Sequence, residues 1–184
     1  MSQPARKRMT SEVFIAWAMA QPEGERYELV AGEVVAMSPE RVGHARVKHR
    51  VARCLEDAIA AAGLPCEALP DGMSVEIDED TVYEPDALVR CGDRLPDEAV
   101  KIADPVIVVE VLSPSSRARD AGAKLEDYFR LPSVRHYLIV KTENRSVIHH
   151  RKDDAGEIAT RIHRAGRLEL DSPRLMVDVE RFFG

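Results

Sequence analysis

The chain has 184 residues, 45% of them apolar, and a formal net charge of −6. That length suits one domain with a core of its own. The acidic balance excludes a generally basic nucleic-acid binder, so an anionic partner would have to meet a local basic patch. Cys54, Cys66 and Cys91 form no C-x-x-C pair, which argues against a disulfide framework or a structural zinc site and fits a reducing cytoplasm. Arg6-Lys7-Arg8 opens no apolar leader, and no apolar run is long enough to span a bilayer.

Residues 1–8 read as a flexible basic tail and residues 9–184 as a single domain. Thr10-Ser11-Glu12 predicts a capped helix through Ala20, with Val13, Phe14 and Trp17 on one side. Two β-rich runs over 26–37 flank Ala31-Gly32 and predict a tight hairpin, with Glu28 and Glu33 on either side of the turn. A helix is predicted over about 44–62, stopped by Gly63. Its apolar stripe is Val47, Val51, Cys54, Leu55, Ala58 and Ala62, and His44 points to the same side. Arg46, Arg50 and Arg53 form a separate basic stripe, either a solvated face or a set of phosphate contacts.

Strands are expected at 66–69 and 73–77, and a further one at 82–90 with Asp86 just inside it. Residues 91–104 read as a loop, with or without one helical turn. Residues 105–112 are almost wholly apolar and β-branched, the pattern of a central strand covered on both faces, and Ser113-Pro114-Ser115-Ser116 ends it. A helix over about 120–131 stops at Pro132. Strands follow at 134–140, 145–151, 157–163 and 167–170. Residues 177–183 read as a short helix docking Phe182 and Phe183. This order implies an α/β fold: a mixed central sheet flanked by helices, with a β-rich C-terminal extension.

Glu110 sits in the middle of the central strand. A carboxylate there must be paired, hydrated, metal-bound or protonated. Alternation places Val108, Glu110 and Leu112 on one face, and Asp86, Leu88 and Arg90 on one face of the preceding strand. If the two strands are neighbours, Asp86 and Glu110 approach each other. Two such carboxylates suit a hard divalent cation, which keeps several waters and uses few protein ligands. Lys124 lies at the edge of the inward side of the next helix, marked by Ala121, Leu125 and Tyr128. Its ammonium is then available to orient a water or to stabilise charge on phosphoryl oxygens.

Those residues carry a resemblance. Glu84-Pro85-Asp86, the Glu110 of Val109-Glu110-Val111-Leu112-Ser113-Pro114-Ser115, and a nearby lysine are similar to the PD-(D/E)XK nuclease superfamily. With Tyr27-Glu28-Leu29-Val30-Ala31-Gly32-Glu33, the helix start at His44 and Lys124-Leu125-Glu126-Asp127-Tyr128, the chain from Tyr27 to Phe183 resembles a large bacterial family of restriction-endonuclease-like proteins. The resemblance implies a restriction-endonuclease-like core and Mg²⁺-dependent DNA cleavage, Mn²⁺ substituting, with Asp86 and Glu110 as metal ligands. The superfamily lysine normally stands two residues after the Glu, where this chain has Leu112, so Lys124 would be its migrated replacement. The family also points to Glu33, as a further metal or water ligand, and to His44, as a donor supporting the ligands, a base or a phosphate contact. A homodimer would let two copies cut two strands.

Plainer readings stand beside these. Glu110 could be a structural ion pair with Lys124, Arg90 or Arg135. Asp86 could stabilise a turn, Lys124 could pair with Asp120 or Asp127 on a helix surface, and Glu28 and Glu33 could be exposed. His149, His150 and His163 read as surface residues, and Tyr128 as core. A nuclease-like DNA- or protein-binding module without turnover and a small-molecule phosphohydrolase are the alternative functions.

Overall fold

The computed structural model describes residues 8–112 and 118–184, the side chains of 118–121 excepted. The basic tail over residues 1–7, the strand end at Ser113-Pro114-Ser115-Ser116, and the readings of Asp120 and Ala121 lie outside the described residues. Helix α1 is Ser11–Met19, and strands β1 (Tyr27–Val30) and β2 (Glu33–Ala36) follow. Next come α2 (Val42–Ala62), β3 (Cys66–Pro70), β4 (Ser74–Asp78), β5 (Thr81–Tyr83), β6 (Ala87–Cys91), β7 (Lys101–Ile102) and β8 (Pro105–Leu112). The chain continues through α3 (Ala118–Arg130), β9 (His136–Lys141), β10 (Ser146–Lys152), β11 (Ile158–His163), β12 (Arg167–Leu170), β13 (Leu175–Asp178) and a 3-10 turn, Val179–Phe182.

The strands form a six-stranded sheet in the order β11-β10-β9-β8-β6-β3, a five-stranded sheet β2-β1-β5-β4-β7, and the pair β12-β13. Within the large sheet only β8 and β9 run parallel, because α3 makes the crossover between them. Strand β8 is covered on both faces, as its Val/Ile content requires. Ile107, Val109 and Val111 pack with Val51 and Leu55 of α2. Val108 packs on the other side with Tyr128 of α3 and with Val75 and Tyr83 of the five-stranded sheet. Each such side chain contributes about 1.5–3 kcal/mol on burial. Glu110 shares the parity of Val108, so it faces α3 and the smaller sheet.

Several expectations change. Residues 82–90 are not one strand: β5 and β6 belong to different sheets, and Glu84-Pro85-Asp86 carries the chain across. Pro85 cannot donate to a ladder, which makes it a natural place to change sheets. Asp86 therefore precedes β6 rather than lying inside it. Residues 91–104 hold no helical turn but the short strand β7, paired parallel to β4. Residues 175–178 are a strand, and only the turn after it is helical; Phe182 and Phe183 are buried as expected. On α1 Phe14 is buried, but Val13 is 56% exposed, and Thr10 stands at the cap position without a side-chain cap bond.

The cysteine reading is overturned: Cys66 and Cys91 form a disulfide. They are register partners across β3 and β6, a proximity that their separation in sequence conceals. The inference of a reducing compartment loses its premise. Among the described residues no helix is long and apolar enough to cross a membrane.

Candidate active site

The site lies at the Glu110 end of β8, where both sheets, α2 and α3 meet. Ala87 pairs with Val109 and Leu88 with Val108, so the same antiparallel register sets Asp86 opposite Glu110. The backbone N–H of Val111 donates to Asp86 Oδ2 at 2.6 Å, which anchors the carboxylate beside the strand. Asp86 is 7% exposed and Glu110 8%.

Each carboxylate has its own lysine. Lys124 Nζ donates to Glu110 Oε1 at 2.9 Å and to Glu28 Oε1 at 2.8 Å. Tyr128, a full helical turn further along α3, donates its hydroxyl to the same Glu110 oxygen at 2.9 Å. Lys48, from α2, lies 2.9 Å from Asp86 Oδ1, 2.6 Å from Asp71 and 3.4 Å from Glu40. Arg26 extends the network by joining Asp71 at 2.6 Å and Glu84. Glu28 also accepts the backbone N–H of Glu84 at 3.0 Å, which ties the hairpin to the segment that carries Asp86.

Electrostatics make Glu110 the exceptional group. Burial pushes its carboxyl up to about 7, Lys124 opposes the rise, and Asp86 and Glu28 add to it. Burial pulls Lys124 down, but Glu110 and Glu28 together outweigh it and hold the ammonium above its usual range. The two shifts are compatible because one ammonium is shared between two carboxylates. Lys48 is likewise held up by Asp86 and Asp71 against its own burial. Burial, with Glu110 adding to it, raises Tyr128 well above the usual tyrosine range.

His44 is beside the site and not in contact with its carboxylates. Its Nε2 meets the carbonyl oxygen of Val111, one residue past Glu110, and its Nδ1 is 2.8 Å from Glu40. Glu33 lies apart from the carboxylates. It stands opposite Val30 at the hairpin tip and is exposed, and among the described residues no hydrogen bond reaches its side chain. Ala31 and Gly32, with φ of 49° and 79°, turn the hairpin so tightly that the residues on its two sides separate into tip and base. Glu28, at the base, is the hairpin glutamate that reaches Lys124. Of the basic stripe, Arg46 and Arg53 are exposed and Arg50 is half-buried; none reaches the carboxylates. The Arg90 and Arg135 pairings expected for Glu110 go elsewhere, to Asp104 and Glu67 and to Asp154.

Lys48 escaped the sequence reading, although a signal was present: it stands four residues after His44 and three before Val51, squarely on the buried stripe. Tyr128 is both core and site, since its ring packs in the core while its hydroxyl reaches Glu110.

The donor set suits a hard divalent cation in one specific sense. Among the described residues no three His, Cys, Asp or Glu side chains converge on a metal position. A two-carboxylate site for a largely hydrated ion needs no third. Glu110 shares its one ammonium with Glu28, Asp86 is opposite it, and the hydroxyl of Tyr137 close to the cluster is buried without a partner among the described residues.

The model of the Uma2 family, described as "Putative restriction endonuclease", matches residues 11–180. The chain is 28% identical over 175 residues to "Uncharacterized protein slr1290" of Synechocystis sp., covering 94% of this chain and 90% of that one. Its fold is similar to the crystal structure of "a putative nuclease belonging to DUF820" from Anabaena variabilis, with a TM-score of 0.73 at 15% identity, covering 95% and 97% of the two chains.

Proposed function

We propose that this chain, which belongs to the Uma2 family, is a metal-dependent endonuclease that hydrolyses phosphodiester bonds in DNA. The observation that carries the reading is the pairing of Asp86 with Glu110 across the β6–β8 register, with Lys124 within hydrogen-bond distance of Glu110. Asp86 and Glu110 would hold Mg²⁺, or Mn²⁺ in its place. The bound ion would supply Lewis-acid polarisation of a phosphoryl oxygen and a more acidic water.

The protein's own groups do the rest. The Val111 N–H and Lys48 fix Asp86 at the rim of the sheet. Lys124 has an ammonium poised beside Glu110 that can turn to a phosphoryl oxygen or an attacking water, with Glu28 holding it when no substrate is present. Tyr128 orients the Glu110 carboxylate. A homodimer is the arrangement that would cut both strands.

The test is cleavage of plasmid DNA by the purified chain with Mg²⁺ or Mn²⁺. Nicking or linearisation is expected from the wild type and none from Glu110→Gln. The lysine paired to each carboxylate favours a second reading, a nuclease-like binding module without turnover. DNA binding with no cleavage in either metal would select it.

A further inference from the structure

Four arginines meet in one pocket next to the site. Arg41 precedes α2, Arg46 and Arg50 stand on its early turns, and Arg145 comes from the turn between β9 and β10. With His44 and Thr142 they line a cavity of about 450 Å³. Among the described residues no Asp or Glu side chain pairs with any of the four, so their convergence on one cavity leaves its positive charge uncompensated.

Two of the guanidinium groups are aimed. Arg50 Nη1 donates to the carbonyl of Phe183 at 3.1 Å. Arg145 donates to the main-chain oxygen of Gly184 at 3.0 Å and lies 5.3 Å above the Phe183 ring. Each of these hydrogen bonds uses one of five N–H donors, so a planar fork remains for an anion. Arg145 has φ of 48°, a left-handed backbone that costs a residue with a Cβ about 1–2 kcal/mol relative to glycine.

The pocket adjoins the end of β8 that carries Glu110. His44 lines it and meets the Val111 carbonyl; Thr142 lines it too, and its N–H and hydroxyl donate to the Leu112 carbonyl at 3.2 and 3.1 Å.

We infer that this pocket is a phosphate subsite, holding a backbone phosphate of the nucleic-acid strand whose scissile linkage lies at Glu110. The inference rests on the nuclease reading for its substrate and on the four arginines for its place. Free phosphate shares the chemistry, so the experiment separates the two sources.

The full-length chain is titrated into a fluorescently labelled DNA duplex in EDTA, so that anisotropy reads binding without turnover. Replacing Arg46 and Arg145 together by Glu is expected to weaken binding at least about tenfold, and to lower the salt slope by about 0.9 for each phosphate that is no longer neutralised. Arg145→Gly, which suits the left-handed turn, keeps the fold and is expected to show the loss singly. Arg161→Gln on β11 is expected to bind as wild type. Duplex binding that survives the double replacement with the thermal melt intact overturns the subsite. So does a wild type that binds inorganic phosphate as tightly as duplex. Loss of binding in the arginine variants, with no cleavage by any form in metal, keeps the subsite and discards hydrolysis. Unchanged binding alongside normal cleavage does the reverse.

Discussion

The two ends of the parallel pair β8–β9 bury titratable groups in opposite ways. At the Glu110 end, carboxylates and lysines are buried together, and Glu110 is pushed up to about 7. At the other end His136, wholly buried, places Nδ1 2.9 Å from His149 Nε2 and Nε2 3.2 Å from Asp171. Burial lowers His136 to about 4 and His149 to about 3, so both rings are neutral at pH 7. The sequence reading of His149 and His150 as surface residues is thereby corrected, since both are buried. The histidine end avoids charge and is cheap to bury. The carboxylate end retains charge that a purely structural cluster would do better without, and such groups concentrate where a ligand or a reaction uses them.

The contrast breaks most directly in activity. Glu110→Gln is expected to lower plasmid cleavage ~10²-fold or more, while His136→Ala leaves cleavage per folded molecule unchanged; equal losses would mean that both ends serve the fold alone. The stabilities should invert that order. His136→Ala empties a buried site and strips His149 and Asp171 of a partner, at a cost of about 2–4 kcal/mol in urea unfolding at pH 7.

Titration sharpens the comparison further. Folded Glu110 holds its proton to about pH 7, whereas the unfolded group releases it near 4.5. Its contribution to stability is therefore present at low pH and is lost as pH rises through that window. The total is about 3 kcal/mol, flat above pH 7. The histidines run the other way: their folded values lie below the unfolded one, so stability is present above about 6.5 and is lost as pH falls through about 4. The stability of Glu110→Gln relative to wild type should climb between pH 4.5 and 7; a flat difference would show that Glu110 does not titrate there. The smallest effects separate the hairpin glutamates. Glu28→Gln should slow cleavage about tenfold, as loss of a group orienting Lys124 does, while Glu33→Gln leaves rate and melting temperature alone.

Much of this was legible one residue at a time. The β-branched run at β8 announced a strand covered on both faces, and alternation along it set Glu110 on the face of Val108. The Ala31-Gly32 turn, the Gly63 stop after α2 and the inward side of Lys124 follow from local rules of backbone and period. Partners across the fold were less accessible. Nothing near Lys48 in the chain names Asp86 or Asp71, and nothing near Cys66 names Cys91. Glu28 and Glu33 carry the same side chain on the same hairpin, and only its docking beside Glu84 and α3 chooses between them.

Local sequence thus dictates which elements form and which faces they bury, because helix and strand periods are properties of neighbouring residues. Which charges meet is a matter of the assembled fold. Register between β6 and β8 sets Asp86 opposite Glu110, and the crossing of α2 and α3 over the sheet delivers Lys48 and Lys124. Such pairings are fixed by the packing of elements far apart in the chain, and their energies depend on a burial that no single segment possesses.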